Sequence, residues 1–108
     1  MPYAFVQTLT GMEDGDYDRV AAAVREACED TPPAGLLLHV AGPVDGGYRY
    51  LDVWESEDAW DRFHEDVLHP TLGKIGFLPG AAARITVTSE PLADVKDLWG
   101  AFSPASTS

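Results

Sequence analysis

The four residues Val44-Asp45-Gly46-Gly47 constrain this chain more than any others, because they join two runs that alternate with a period of two. Asp-Gly is among the strongest short hairpin signals, since both residues tolerate positive φ. From Tyr48 to Glu55, Tyr48, Tyr50, Asp52 and Trp54 fall on one side of a strand, with Arg49, Leu51, Val53 and Glu55 on the other. From Gly35 to Pro43, Leu36, Leu38 and Val40 alternate with Leu37, His39 and Ala41. A two-residue loop at Asp45-Gly46 and a four-residue loop impose the same register. In it His39 faces Asp52, Leu37 faces Trp54 and Ala41 faces Tyr50.

The chain has 108 residues, enough for one domain with a modest core and too few for two. It holds no run of about 18 apolar residues and no charged-then-apolar leader, so a cytoplasmic location is expected, with neither a membrane span nor a secretory signal. Seven basic residues against eighteen acidic ones give a net charge of −11. That charge repels phosphate backbones and anionic membrane surfaces, which argues against nucleic acid and membrane as partners. The single cysteine, Cys28, excludes an intrachain disulfide and sits in the apolar stripe of a helix, where packing is its simplest role.

Tyr3 to Thr10 reads as a first strand. Asp14 to Asp30 reads as a helix with Tyr17, Val20, Ala21, Val24, Ala27 and Cys28 at helical spacing, capped by Asp14 or Asp16 and closed by Pro32-Pro33. After the hairpin, Ser56 caps a second helix whose inward face is Ala59, Trp60, Phe63 and Val67, and whose length Pro70 limits. A loop through Gly73, Gly76, Pro79 and Gly80 leads to a last strand, Ala83 to Glu90. Leu92 to Phe102 follows as a short helix or arm, and Ser103 to Ser108 as a disordered tail. Residues 1–91 thus form the domain and 92–108 its C-terminal extension.

The order β-α-β-β-α-β is that of a ferredoxin-like α+β sandwich, a four-stranded antiparallel sheet with both helices on one face. The aliphatic residues Leu36, Leu38, Val40, Leu51, Val53, Ile85 and Val87 are expected under the helices. The other face then carries Phe5, Gln7, Leu37, His39, Tyr50, Asp52, Trp54, Thr86 and Thr88. It is too apolar for water and too polar for a plain core, so a second copy is expected to cover it and enclose a pocket in a homodimer.

With Gly35-Leu-Leu-Leu-His39-Val-Ala-Gly-Pro43, Asp45-Gly-Gly47, Leu51-Asp-Val-Trp-Glu-Ser56, Ala59, Phe63, Leu68 and Pro70, the chain resembles the dimeric α/β-barrel superfamily. Within it, the likeness is to the antibiotic-biosynthesis-monooxygenase-like proteins. The resemblance implies a dimeric α/β barrel, and a superfamily whose reactions range from cofactor-free, quinone-forming oxygenation to haem degradation, polyketide cyclisation and isomerisation. In the oxygenase branch the tryptophan matching Trp54 lines the substrate cavity, and an asparagine four residues earlier helps bind substrate; here that position is Tyr50. The haem-degrading branch has a tryptophan where this chain has Phe63, and His64 and His69 fall before the position of its histidine ligand. The plant-type cyclases carry a His-Pro pair followed by a catalytic histidine; the chain keeps His69-Pro70 and lacks the later histidine.

His39 opposite Asp52 fits two roles. The carboxylate can fix one imidazole tautomer for general acid–base catalysis, or simply satisfy a structural histidine. Tyr50 and Trp54 likewise fit stacking on a flat ligand or ordinary interface packing. His64 and His69 are five apart and point about 140° apart on an α-helix, a poor metal pair. Gly42 to Gly47 enters a strand, so it is a turn and no phosphate cradle. The expectation is a small enzyme without cofactor or metal, resembling cofactor-independent monooxygenases of aromatic or polyketide-like molecules. The alternatives are a cyclase, dehydratase or isomerase, and a non-catalytic binding dimer. His39 and Asp52 are the candidate catalytic residues, and Phe5, Gln7, Leu37, Tyr50, Trp54, Phe63 and Thr86 the candidate substrate contacts.

Overall fold

In the computed structural model, residues 1–78 and 80–100 are described; Pro79, Phe102 and the expected tail lie outside them. The elements are β1 (Tyr3–Thr10), α1 (Asp14–Ala27), β2 (Leu36–Val44), β3 (Gly47–Trp54), α2 (Glu57–Phe63), a π-helical turn (His64–Leu68), α3 (His69–Lys74), a 3₁₀ turn (Ala81–Arg84) and β4 (Thr86–Pro91). The strands form one sheet in the order β2-β3-β1-β4, every neighbouring pair antiparallel. This is the ferredoxin-like α+β fold.

Val44 pairs with Gly47, so Asp45-Gly46 is a two-residue loop, and of the two only Gly46 takes positive φ, 80°. The register from there is the one read from the turn, with Ala41 opposite Tyr50 and His39 opposite Asp52. It fails at Leu37. A bulge between Leu36 and Leu38 inserts an unpaired residue, and Leu36 takes the place opposite Trp54.

The two faces of the sheet are the reverse of the expectation. Trp54 and Phe5, each 1% exposed, lie under α2 with Ala59, Trp60 and Phe63, while Tyr48 stacks on Tyr17 of α1. The face bearing Phe5, Gln7, Tyr48, Tyr50, Asp52 and Trp54 is therefore the helix-covered one, whereas Val40 (54% exposed) and Leu51 (38%) look outward from the open one. Leu38 and Val53 share that open side by register, although Val53 is buried beside Ala4, where the Leu92 N–H bonds to the Ala4 carbonyl at 2.9 Å. Large aromatic rings bury more apolar area than aliphatic side chains, and their polar tips cost nothing once paired. Of the other aliphatic residues expected inside, Leu36 and Ile85 pack on buried clusters, and Val87 shares Leu9's side but is 56% exposed on the edge strand. Thr86 and Thr88 pair with Thr10 and Thr8 and so lie on the open side, away from Phe5.

α1 stops at Ala27, before Asp30. Glu29 and Asp30 turn left-handed (φ 54° and 57°), and the Asp30 N–H closes the end on the Arg25 carbonyl at 2.8 Å. At its start Glu13 is the cap, its N–H bonded to Asp16 at 3.0 Å. Ser56 caps α2 as expected, accepting from the Ala59 N–H at 3.1 Å. Gly35 (φ 89°) lets the β2 entry pass close to this helix, where an added Cβ would meet that of Ala59 at 2.6 Å.

Pro70 does not end the second helical run, which continues to Lys74. The π turn before it, closed by the His69 N–H on the His64 carbonyl, is wider than an α turn and leaves room for a ring with no N–H to donate. The same turn brings the His64 and His69 rings to 6.1 Å, in place of the wide divergence an α-helix imposes. β4 begins at Thr86, three residues later than expected, because Ala81–Arg84 is a 3₁₀ turn. Residues 92–100 form an arm with no helix. No helix among the described residues is long and apolar enough to cross a membrane.

Candidate functional site

β2 and β3 set His39 and Asp52 side by side, and the alternation of β3 turns Asp52 under the helices, where it is 4% exposed. A carboxylate so buried needs partners. Asp52 Oδ1 lies 2.5 Å from His39 Nδ1, and Oδ2 accepts from Trp54 Nε1–H at 3.0 Å. On its far side His39 Nε2 lies 2.9 Å from the Tyr17 hydroxyl, carried in by the first turn of α1. The ring of Tyr50 is 5.5 Å from the imidazole, and its hydroxyl donates to Gln7 Oε1 on β1. The His39 side chain is 39% exposed against 5% for Asp52, so the pair has a buried end and an accessible end.

Several contacts hold α1, and with it Tyr17, in place. The Tyr17 and Tyr48 rings stack at 5.0 Å and 3°, and the Tyr48 hydroxyl donates to Asp14. Arg84 reaches Asp16 at 3.1 Å and Glu13 at 3.4 Å, and Arg19 donates to the Ile75 carbonyl. The Arg84 hydrogen bond holds the Asp16 carboxyl below its ordinary range. Burial, and then the charge of Asp52, push the phenols of Tyr17 and Tyr50 upward, while the hydrogen bond to Asp14 pushes Tyr48 to about 12. These three tyrosines thus remain neutral donors at ordinary pH.

Of the candidate residues, Phe5, Gln7, His39, Tyr50, Asp52 and Trp54 share this face, and Phe63 joins them from α2 with its ring 5.2 Å from Trp54. Thr86 lies on the opposite face, and Leu37 sits in the bulge without the predicted place opposite Trp54. Tyr17 and Trp60 went unrecognised as site residues. Each occupies an inward position of a helical stripe, so periodicity marks it as core; the signal for Tyr17 is its polar tip within that stripe. Among the described residues no group of three or more His, Cys, Asp or Glu is arranged to hold a metal ion.

The arrangement is a carboxylate–imidazole–phenol chain. Ionised Asp52 can only accept, so Nδ1 of a neutral His39 carries the hydrogen and Nε2 presents a lone pair. Such an imidazole can take a proton while the carboxylate stabilises the cation.

No family model matches the sequence, and no curated protein matches it. Solved structures do. SnoaB, a cofactor-independent oxygenase from Streptomyces nogalater, is 23% identical with a TM-score of 0.53, covering 90% of this chain and 96% of its own. A protein assigned by name to the antibiotic biosynthesis monooxygenases, from Chloroflexus aurantiacus J-10-fl, is 13% identical with a TM-score of 0.58, covering 92% and 98%. A dimeric ferredoxin-like protein of unknown function from Jannaschia sp. CCS1 is 21% identical with a TM-score of 0.50, covering 82% and 97%. At these identities the likeness establishes the shared ferredoxin-like fold, which is the fold of the superfamily that the sequence motifs resemble.

Proposed function

We propose that this protein is a small acid–base enzyme that deprotonates a flat aromatic or polyketide-like molecule, which then reacts with dioxygen without a cofactor. The observation that carries the reading is the His39–Asp52 pair, with Nδ1 fixed on a buried carboxylate and Nε2 turned toward the accessible end. Loss of a proton from an anthrone or phenol gives an electron-rich carbanion. For an anthrone, the CH₂ carbon thus gives up both hydrogens and takes one atom of dioxygen to become C=O, and the second oxygen atom leaves with those hydrogens as water. Tyr50 and Phe63, both half-buried, are the aromatic surfaces offered to such a flat molecule, with the fully buried Phe5 and Trp54 backing them from the core. The cofactor-independent oxygenase from Streptomyces nogalater and the Chloroflexus protein named as a monooxygenase support the direction of the reading.

The protein works as a homodimer, a reading supported by the dimeric ferredoxin-like neighbour, and the open face of the sheet is the surface left for the second copy. That face holds Val40, Leu51 and a shallow hollow of about 320 Å³ bordered by Val6, Pro43 and Arg49. Exposed apolar side chains grouped on one sheet face are the kind of surface that a second copy covers.

The same pair serves a cyclase or isomerase, in which the proton returns to a different atom and no oxygen is consumed. Oxygen uptake decides between them. Wild type with 1,8-dihydroxyanthrone in an oxygen electrode is expected to consume dioxygen, and His39→Ala to lose that uptake. Turnover without uptake moves the assignment to the second chemistry; uptake unchanged in His39→Ala rejects the base.

A further inference from the structure

The imidazole nitrogen that would receive the substrate's proton is already engaged, and its partner is placed to take part. His39 Nδ1 is committed to Asp52 at 2.5 Å, and Nε2 lies 2.9 Å from the Tyr17 hydroxyl. With the hydrogen on Nδ1 and the lone pair on Nε2, the Tyr17 O–H is the donor in that bond. The phenolic oxygen keeps its own acceptor capacity on a half-buried side chain at the accessible end of the pair. Its ring is held by the parallel stack on Tyr48, which is in turn tied to Asp14 at the start of α1.

We propose that Tyr17 is a catalytic residue that relays the substrate's proton to His39. A phenol or enol hydroxyl of the substrate donates to the Tyr17 oxygen. As the substrate O–H bond breaks, its proton forms a new O–H bond on Tyr17, and the proton Tyr17 held moves to Nε2. The products are a substrate oxyanion and an imidazolium paired with Asp52, with one proton gained for each one lost at Tyr17. Tyr17 is neutral before and after, so no free phenolate is required of a phenol that burial makes reluctant to ionise. Its renewed O–H then faces the oxyanion and stabilises it. The inference rests on the reading of His39–Asp52 as a base toward an aromatic hydroxyl, but it needs no dioxygen.

Anaerobic stopped-flow mixing of the full chain with 1,8-dihydroxyanthrone, read at the long-wavelength absorption of the anion, tests it. Wild type is expected to form the bound anion. Tyr17→Phe keeps the ring stack and is expected to form it roughly 10²-fold more slowly, and His39→Ala not at all. Wild-type rates in mixtures of light and heavy water are expected to curve with deuterium fraction, as two protons in flight require. Absence of the anion in wild type, an equal rate in Tyr17→Phe, or a linear isotope plot overturns the relay. The isotope plot decides the matter even if the phenylalanine variant does not fold. Oxygen uptake is scored separately: an anion formed by the relay without uptake in air rejects the oxygenase reading and sustains the relay.

Discussion

Trp54 joins the core to the ionisable pair, and replacing it in two steps separates those roles. The side chain is 1% exposed, with ring centroids 5.2 Å from Phe63 and 5.7 Å from Trp60, and its Nε1–H is one of two partners of the buried Asp52. Trp54→Phe keeps most of the apolar area and removes the N–H. A hydrogen bond to a charged group contributes about 1.5–3 kcal/mol, so a loss near 2 kcal/mol is expected. Trp54→Ala removes the ring as well and leaves a void, for about 4–5 kcal/mol in total. Against a total stability of about 5–15 kcal/mol, the second change brings the chain close to unfolding. Urea titration at fixed protein concentration measures both, and with a slope of about 2 kcal/mol/M the phenylalanine variant's midpoint falls by about 1 M. A phenylalanine variant as stable as wild type would show that Asp52 does not depend on the indole. An alanine variant within about 1 kcal/mol of wild type would refute the packing under α2 altogether.

Leu51→Lys, on the open face, is expected to turn a dimer into a folded monomer; light scattering that already gives the 11.7 kDa monomer for wild type at micromolar concentration rejects the interface. Asp52→Asn is expected to lower anthrone turnover by disturbing the tautomer and basicity of His39, with circular dichroism retained; full activity with reduced stability makes the pair a structural contact. All four tyrosines have phenols raised above their ordinary value, so the folded chain at pH 10 should show far less phenolate absorbance near 295 nm than the chain in urea, where about half is ionised. Because folded values lie above unfolded ones, this contribution to stability is complete below about pH 10 and declines as pH climbs toward 12, where Tyr48 titrates; equal absorbance in the two states at pH 10 contradicts it.

The pairing of His39 with Asp52 was legible because it depends only on a tight turn and a period of two, both local. Alternation says which residues share a face. It does not say which face the helices cover, and here the polarity of His39 and Asp52 argued for the wrong side. Their polar atoms satisfy one another and the Trp54 indole, so the aromatic area around them decided the outcome. Leu37 was misplaced by a bulge that leaves no mark in an unbroken run of leucines, and Thr86 by a strand whose start depends on the 3₁₀ turn before it. For Tyr17 the polar tip in the apolar stripe was a signal, but its partner is set by how α1 lies across the sheet, a long-range property to which no local period refers.

The π turn carries a consequence for how this chain tolerates change in length. It holds one residue more than a regular turn, so the segment beyond it is rotated by about 100° relative to an uninterrupted helix. Leu72 and Ile75, which pack on the Leu9–Met12–Tyr48–Phe77 cluster, owe their inward aim to that rotation. A codon lost anywhere between His64 and Leu68 would yield a tidier helix that turns both residues off the core and sets Pro70 against a carbonyl. In descendants of this gene, deletions should be scarcer here than substitutions, and a lost residue should reappear as an insertion close by.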